Sequence, residues 1–265
     1  MSRPPWREQA AVWLAPSQVG LALQRRGWRR SVAHHQQAVD GPDGADAALR
    51  ALAQLAGTAA PRRAHARIVV SSRFVRTTLL PDARVLRGTA ERRVAARELL
   101  RGVHGDAVDG WDLAVDGAAG PGMPAAALDT GWLQRLQQQA LQAGLRAVSV
   151  RPLLALAAAQ AWPRLAGRHA WLLVTEADGA LLARIDPAQG WQSLRSLPFD
   201  AMQGADALAP WLARCALLDG LEPADLPLVH VAWQGLAPAD PLAPPAPLQL
   251  AGWQAHTLAL TGADI

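Results

Sequence analysis

HAWLLVTEADGALLARIDPAQGWQSLRSL, residues 169–197, is the stretch on which the fold turns. His169–Thr175 and Ala180–Ile185 are apolar runs separated by Asp178-Gly179, a residue pair suited to tight hairpin turns. Gly190–Leu197 follows as a third strand. A helical stretch over about 203–218 and a strand over Pro227–Trp233 come next. The order is therefore three strands, a helix and a strand. The same order opens the chain. Residues 11–34 alternate Val12, Leu14, Val19, Leu21 and Leu23 with smaller or polar residues, as three half-buried strands do, with a turn at Arg25–Trp28. A helix over 45–56 carries Leu49, Leu52 and Leu55 behind a capping Asp43. Ala66–Ser71 is then a buried strand. The two halves share this order of elements and no sequence repeat.

Between these two runs, Phe74–Leu80 reads as a strand stopped by Pro81. Residues 89–103 read as a helix capped by Thr89, with Glu91 in its first turn and Val94, Leu99, Leu100 and Val103 as its apolar face. Trp111–Val115 is a strand, and the Gly/Pro/Ala stretch 117–126 a loop. Leu128–Ala143 is a helix with Leu133, Leu136 and Leu141 inward and Gly144 at its end. Leu145–Val150 is a strand, and Pro152 opens a helix to Trp162. Pro163–Arg168 marks the boundary between halves. The C-terminal stretch has a Pro-rich segment at 238–247, and Gln249–Leu260 reads as a return to a sheet. Helix–strand alternation after three hairpin-linked strands defines mixed α/β layers.

Composition excludes several functions. Of 265 residues, 51% are hydrophobic and 18% charged, which is a folded rather than a disordered chain. All 26 basic residues are Arg, and with no Lys or Tyr almost nothing titrates in the alkaline range. The calculated pI of 10.9 therefore overstates a net charge of only +4. Charge is unevenly placed: residues 1–101 hold 18 Arg against 7 acids, net +11, and residues 102–265 hold 8 Arg against 15 acids, net −7. This is either a docking face on each half or clustering on solvated helices. The single Cys215 excludes a disulfide framework and sits in an apolar stretch as a small core residue. MSRPPWREQA at the N-terminus lacks the apolar core of a secretory signal. The chain is expected to be cytoplasmic.

Motifs for catalysis are weak. His34 and His35 are adjacent on a strand and point to opposite faces, so they do not share a metal. There is no His-Glu-x-x-His and no Cys-x-x-Cys; Asp40, Asp43 and Asp46 lack the alternate spacing of a calcium loop, and no metal site is expected. Gly117–Gly122 has the wrong order for a dinucleotide loop and reads as a flexible turn. Of eleven Trp, Trp13, Trp171 and Trp233 fall in strands as core. Trp28, Trp132, Trp191 and Trp253 fall near turns or polar faces, either as interface anchors or as replacements for Tyr and Phe.

The duplicated order resembles the ribonuclease-H-like core of the actin/sugar-kinase superfamily. Val69-Val-Ser-Ser-Arg-Phe-Val-Arg-Thr-Thr-Leu-Leu-Pro81 is similar to a stretch of two bacterial families, the actin-like cytoplasmic part of the type II secretion L protein and the type IV pilus M protein. His104-Gly105, Trp111-Asp-Leu, Leu128-Asp129, Ser149-Val150-x-Pro152, Trp171–Val174 and Gly190-Trp191 extend the likeness over about residues 10–235. The resemblance implies an α/β, duplicated ribonuclease-H-like (actin-like) fold. Residues 1–165 would form the first half, with an inserted subdomain at about 72–127. Residues 166–265 would form a shortened second half lacking a final helix–strand pair.

The same resemblance implies a cytoplasmic scaffold that holds a bitopic inner-membrane partner of a pilus or secretion motor, peripheral to the membrane through that partner. A tail of the partner would meet Arg73, Phe74 and Arg76 in the inserted subdomain, and Trp28. Homo-oligomerisation is open; no cofactor or nucleic acid is expected. The superfamily's first phosphate loop needs Asp and Gly where this chain has Ala15-Pro16-Ser17-Gln18, and Pro16 lacks an amide hydrogen. The second reads Thr175-Glu176-Ala177-Asp178-Gly179, with carboxylates but no hydroxyl series after the Gly. Ser17, Gln18, Glu176, Asp178 and Gly179 are thus degenerate nucleotide-loop positions, and the expectation is a non-enzymatic adaptor. The alternatives are a nucleotide-dependent ATPase or kinase, and an Arg-rich nucleic-acid-binding protein.

Overall fold

The computed structural model describes residues 8–25, 31–39, 44–59, 63–115, 121–177, 179–198, 204–222, 225–236, 253 and 255–261. The first sheet contains β1 (Gln9–Leu14), β2 (Gln18–Arg25), β3 (Ser31–Ala38), β4 (Ala64–Val70) and β8 (Leu145–Pro152) in the order β3-β2-β1-β4-β8. The second contains β9 (Ala170–Glu176), β10 (Gly179–Asp186), β11 (Gly190–Pro198), β12 (Leu228–Trp233) and β13 (Ala255–Leu260) in the order β11-β10-β9-β12-β13. Each sheet has two antiparallel hairpin pairs followed by two parallel pairs. The halves are therefore copies of one topology. The return expected over Gln249–Leu260 is β13. The second half thus keeps the strand it was expected to lack, while no helix lies between β12 and β13 among the described residues.

Strand alternation sorts the core. On β1, Val12 and Leu14 face one side with Leu21 and Leu23 of β2, under α1 (Gly44–Ala59) and α3 (Thr130–Gln142). Trp13 and Ala15 face the other side, where α4 (Leu153–Leu165) lies between the two sheets. The outer face of the second sheet buries Trp171, Leu173 and Leu182 against Leu212 and Cys215 of α5 (Gly204–Leu218). Each leucine so removed from water contributes about 1.5–3 kcal/mol. Cys215 is buried as the sequence suggests, and burial pushes its thiol pKa up. Pro163 does not stop α4; it sits in the last turn, and the helix closes through the Ala166 amide on the Trp162 carbonyl at 2.8 Å.

The insertion between β4 and α3 is a three-stranded sheet, β5-β7-β6, carrying one helix. Its strands are β5 (Arg76–Asp82), β6 (Trp111–Val115) and β7 (Pro121–Asp129); its helix is α2 (Thr89–His104). Five expectations are corrected here. Phe74 lies in the turn before β5, and β5 runs through Pro81. An edge strand tolerates the missing amide, and β5 is an edge. Residues 121–126 belong to the central strand β7, not to a loop. Asp129, not Leu128, begins the helix: its carboxylate accepts the Trp132 amide at 2.6 Å. Thr89 makes no cap; Glu91 instead accepts the Arg87 amide at 2.6 Å. The face of α2 on the sheet is Arg92, Ala96 and Leu100, while Val94 and Val103 are exposed. The short sheet beneath α2 accepts one narrow i, i+4, i+8 row, so the broader apolar stripe has nothing to cover it.

Gly122 joins the insertion to the second half. Its φ is +51°, and a Cβ there would fall 2.7 Å from the Gln189 carbonyl oxygen and 2.8 Å from the Trp191 amide, with the Trp191 oxygen nearer still. Only a residue without a side chain lets β7 approach the start of β11 this closely. What reads in sequence as a flexible turn is in part a packing contact.

Candidate functional site

The ends of β1, β4 and β9 converge at a cleft between the halves. On the first half, Pro16 and Ser17 form a tight turn closed by Ala15 N–H to Gln18 O at 2.9 Å and Gln18 N–H to Ala15 O at 3.4 Å. Pro16 has no amide hydrogen and the Gln18 amide already has a partner, so two of the turn's donors are unavailable to an anion. Beside it, the turn after β4 is tied back: Ser71 N–H reaches Leu14 O at 2.8 Å, and Arg73 N–H reaches Ser71 Oγ at 3.0 Å. This turn presents Ser72 to the second half. Ser72 N–H donates to Glu176 Oε1 at 3.0 Å, and the Ser72 hydroxyl donates to the same oxygen. Glu176 ends β9 and is buried. The two halves are thus bridged by a carboxylate and a turn 104 residues apart in sequence.

A cavity of about 230 Å³ lies next to this bridge, lined by Trp13, Ser17, Gln18, Gln36, Trp233 and Gln234 among others. The Trp13 and Trp233 rings stand 4.7 Å apart at 40°. Among the described residues the lining includes no charged side chain. Among the described residues no group of three His, Cys, Asp or Glu is placed to hold a metal ion. Of the sequence-derived loop positions, Ser17 and Gln18 line the cavity, whereas Glu176 is turned into the bridge. Gly179 is packed so that a Cβ would meet the Leu197 carbonyl oxygen at 2.7 Å and the Arg73 side chain at 3.5 Å. Asp178 lies outside the described residues, as does Trp28.

Arg73 and Arg76 are exposed on either side of the buried Val75. Phe74 is half-buried and packs on Trp132, ring centroids 5.3 Å apart. Trp132 is not on a polar face: it is buried, and its indole N–H donates to Ala45 O at 3.0 Å. Trp253 is buried against Trp171, and Trp191 is half-buried beside the core between the sheets. Ser72, Gln36 and Gln234 were not legible as cleft residues. Their roles come from long-range pairing, and no local spacing announces them.

Two polar sites lie in the second half. Asp219 accepts from Ser193 Oγ at 2.8 Å and from Arg195 Nη1 and Nη2 at 3.0 and 2.5 Å. Burial alone would raise its pKa; the hydrogen bonds from Arg195 and Ser193 outweigh it and hold the carboxylate below its ordinary range. His230 on β12 is buried between Thr175 on β9 and Thr257 on β13, at 2.8 and 3.2 Å. Burial lowers its pKa to about 4, so the ring is neutral at pH 7.

No protein-family model and no curated protein matches the sequence. Solved structures do match the fold. The cytoplasmic domain of EpsL, an inner membrane component of the type II secretion system of Vibrio cholerae, is 15% identical with a TM-score of 0.55, over 96% of this chain and 90% of that one. A PilM–PilN type IV pilus biogenesis complex gives 15% identity and a TM-score of 0.57, over 86% and 82% of the respective chains. A Bacteroides thetaiotaomicron protein of unknown function, described as having an actin-like ATPase fold, gives 10% identity and 0.55, over 90% and 87%. The chain has the actin-like ATPase fold. Its structural neighbours include the cytoplasmic domain of a secretion component and a pilus-biogenesis protein. Among the described residues no helix is long and apolar enough to cross a membrane.

Proposed function

We propose that this protein is a non-catalytic, actin-like adaptor of a type IV pilus or type II secretion assembly platform, holding a cytoplasmic segment of a bitopic inner-membrane partner. The observation that carries the non-catalytic part is the Ser72–Glu176 bridge. The second-loop carboxylate is buried in a contact between the halves. Among the described residues the lining of the remaining cavity is uncharged, and at about 230 Å³ it is smaller than the roughly 300–1,000 Å³ of ordinary ligand pockets. A triphosphate brought there would meet no lining cation among the described residues. Support for the partner class comes from the fold shared with the EpsL cytoplasmic domain and with the protein in the PilM–PilN complex. The exposed Arg73 and Arg76, held by the Phe74–Trp132 contact, would receive an acidic or backbone-rich tail segment beside the inserted subdomain.

The competing reading, an ATPase or kinase, is favoured by the place of the cavity between the two hairpin turns. Thermal unfolding with magnesium-ATP separates them, because a ligand bound only to the native state raises Tm. No rise is expected. Affinity capture from the native organism's solubilised membranes should recover single-span pilus or secretion proteins. A clear ATP-dependent rise, with capture of no membrane protein, would sink the adaptor reading.

A further inference from the structure

β3 is one edge of the first sheet, and it pairs with β2 without a break from Ser31 to Ala38. In an antiparallel pair, alternate residues turn their backbone N–H and C=O groups to the outer side. Among the described residues none of those outward groups on β3 has a partner. Such an edge is a template for another strand, and proteins block it with charge, proline, a bulge, short length or a covering element. The other five edges of the three sheets carry such blocks among the described residues. The register of β8 with β4 breaks at a bulge beside Arg67, and β8 exposes Arg146 and Arg151. β11 has a bulge opposite Arg184 and packs at Trp191 on Gly122 of the insertion. The Ala259 carbonyl of β13 accepts the Gln160 side-chain amide at 2.7 Å. β5 contains Pro81 and ends in Asp82. β6 is five residues long and exposes Asp112. β3 reads SVAHHQQA, with no Arg, acid, proline or bulge. Val32, His34 and Gln36 are exposed along it.

We propose that β3 is the interface of a twofold dimer, pairing antiparallel with β3 of a second copy to make one continuous sheet. Antiparallel pairing of identical edges is isologous, so it uses both free edges at once and closes. With the other edges blocked, the product is a dimer rather than a fibre. Charge permits the self-pairing. Residues 1–101 hold 18 Arg against 7 acids, yet β3 has no charged residue. α1, the helix that packs beside it, has one acid and one base, Asp46 and Arg50. An acidic tail, the occupant that suits Arg73 and Arg76, finds no cation on β3. A twofold axis normal to the sheet keeps each face on its own side, so residues opposed across the seam have the same parity. The midpoint of the strand falls between residues 34 and 35. The register with most pairs is therefore centred on His34 or on His35 and overlaps about seven residues, or about 24 Å. So short a seam makes a transient, concentration-dependent dimer. The proposal does not rest on the adaptor reading, since the purified chain alone decides it.

Sedimentation velocity and native mass spectrometry of the purified full chain, over a series of concentrations, test it. The mass should rise from one chain, 28.1 kDa, to two chains and stop there. Val32→Lys with His34→Lys sets like charges along both sides of the seam and should remove the dimer at every concentration. Val94→Lys with Val103→Lys, the same type of change on exposed side chains of α2, should leave it intact. Circular dichroism confirms that both variants fold. As a second measurement, His34→Cys or His35→Cys, whichever lies on the axis, should be bridged between copies by a short bifunctional thiol reagent, whereas Val94→Cys should not. The buried Cys215 does not compete for the reagent. Four results would each overturn the proposal: a mass fixed at one chain throughout the series, a mass of one chain plus a co-purified peptide, an assembly that survives Val32→Lys with His34→Lys, or no bridging at either axis position.

Discussion

Replacing His230 tests whether the buried sheet contact in the second half behaves as its geometry requires. The ring is 5% exposed, fixed between Thr175 and Thr257 across three adjacent strands. Burial lowers its pKa from 6.5 to about 4. As pH falls, the unfolded chain therefore takes up a proton on this residue before the folded chain does. The stability it supports is complete above pH 6.5, declines between 6.5 and about 4, and changes no further below that. At 1.36 kcal/mol per unit, the full difference is about 3 kcal/mol, of which about 2 kcal/mol has gone by pH 5. For a chain of this size that lowers Tm by about 5 °C. The assay is denaturant unfolding followed by the intrinsic tryptophan fluorescence at pH 7.5 and pH 5, for the natural protein and for His230→Gln. Glutamine offers one donor and one acceptor group to the two hydroxyls but does not titrate. Carboxylates that titrate in the same range are common to both proteins and cancel. The variant should lose about 2 kcal/mol less between the two pH values. Equal acid sensitivity in both, or an imidazole pKa near 6.5 by NMR, would refute the reasoning.

Further outcomes follow from the contacts between parts. Glu176→Ala removes the acceptor for both Ser72 donors and should cost about 1–3 kcal/mol in chemical denaturation, with Ser72→Ala costing less because its amide remains; no loss in either would mean that the bridge does not hold the halves. Gly122→Val drives a side chain into Gln189 and Trp191, so limited proteolysis should cut the insertion faster than in the natural protein. Arg195→Leu leaves Asp219 buried with fewer donors and should cost about 3 kcal/mol, largely recovered by adding Asp219→Leu; an additive second loss would exclude the pairing. Cys215, buried with a raised pKa, should react with a thiol reagent only as fast as the protein unfolds.

The repeated order of three strands, a helix and a strand was legible because each element carries its own period. Val12, Leu14, Val19, Leu21 and Leu23 alternate as strands of a half-covered sheet, and Leu49, Leu52 and Leu55 recur as a helix face. The misreadings fell where a neighbour overruled the local signal. Val94 and Val103 look like core, but β5, β6 and β7 form a surface wide enough only for Arg92, Ala96 and Leu100. Residues 121–126 look like a loop, yet two flanking strands satisfy their backbone. Glu176 reads as a phosphate-loop carboxylate, and only the turn at Ser72 shows where its oxygen is bound. Sequence alone determined most of the elements, the charge of each half, the buried Cys215 and the missing amide hydrogen at Pro16, because period, charge and a missing amide are properties of a segment by itself. The tertiary structure decided which turn meets which carboxylate and which tryptophans are covered. Those depend on strand register between residues far apart in the chain, and no local pattern encodes that register.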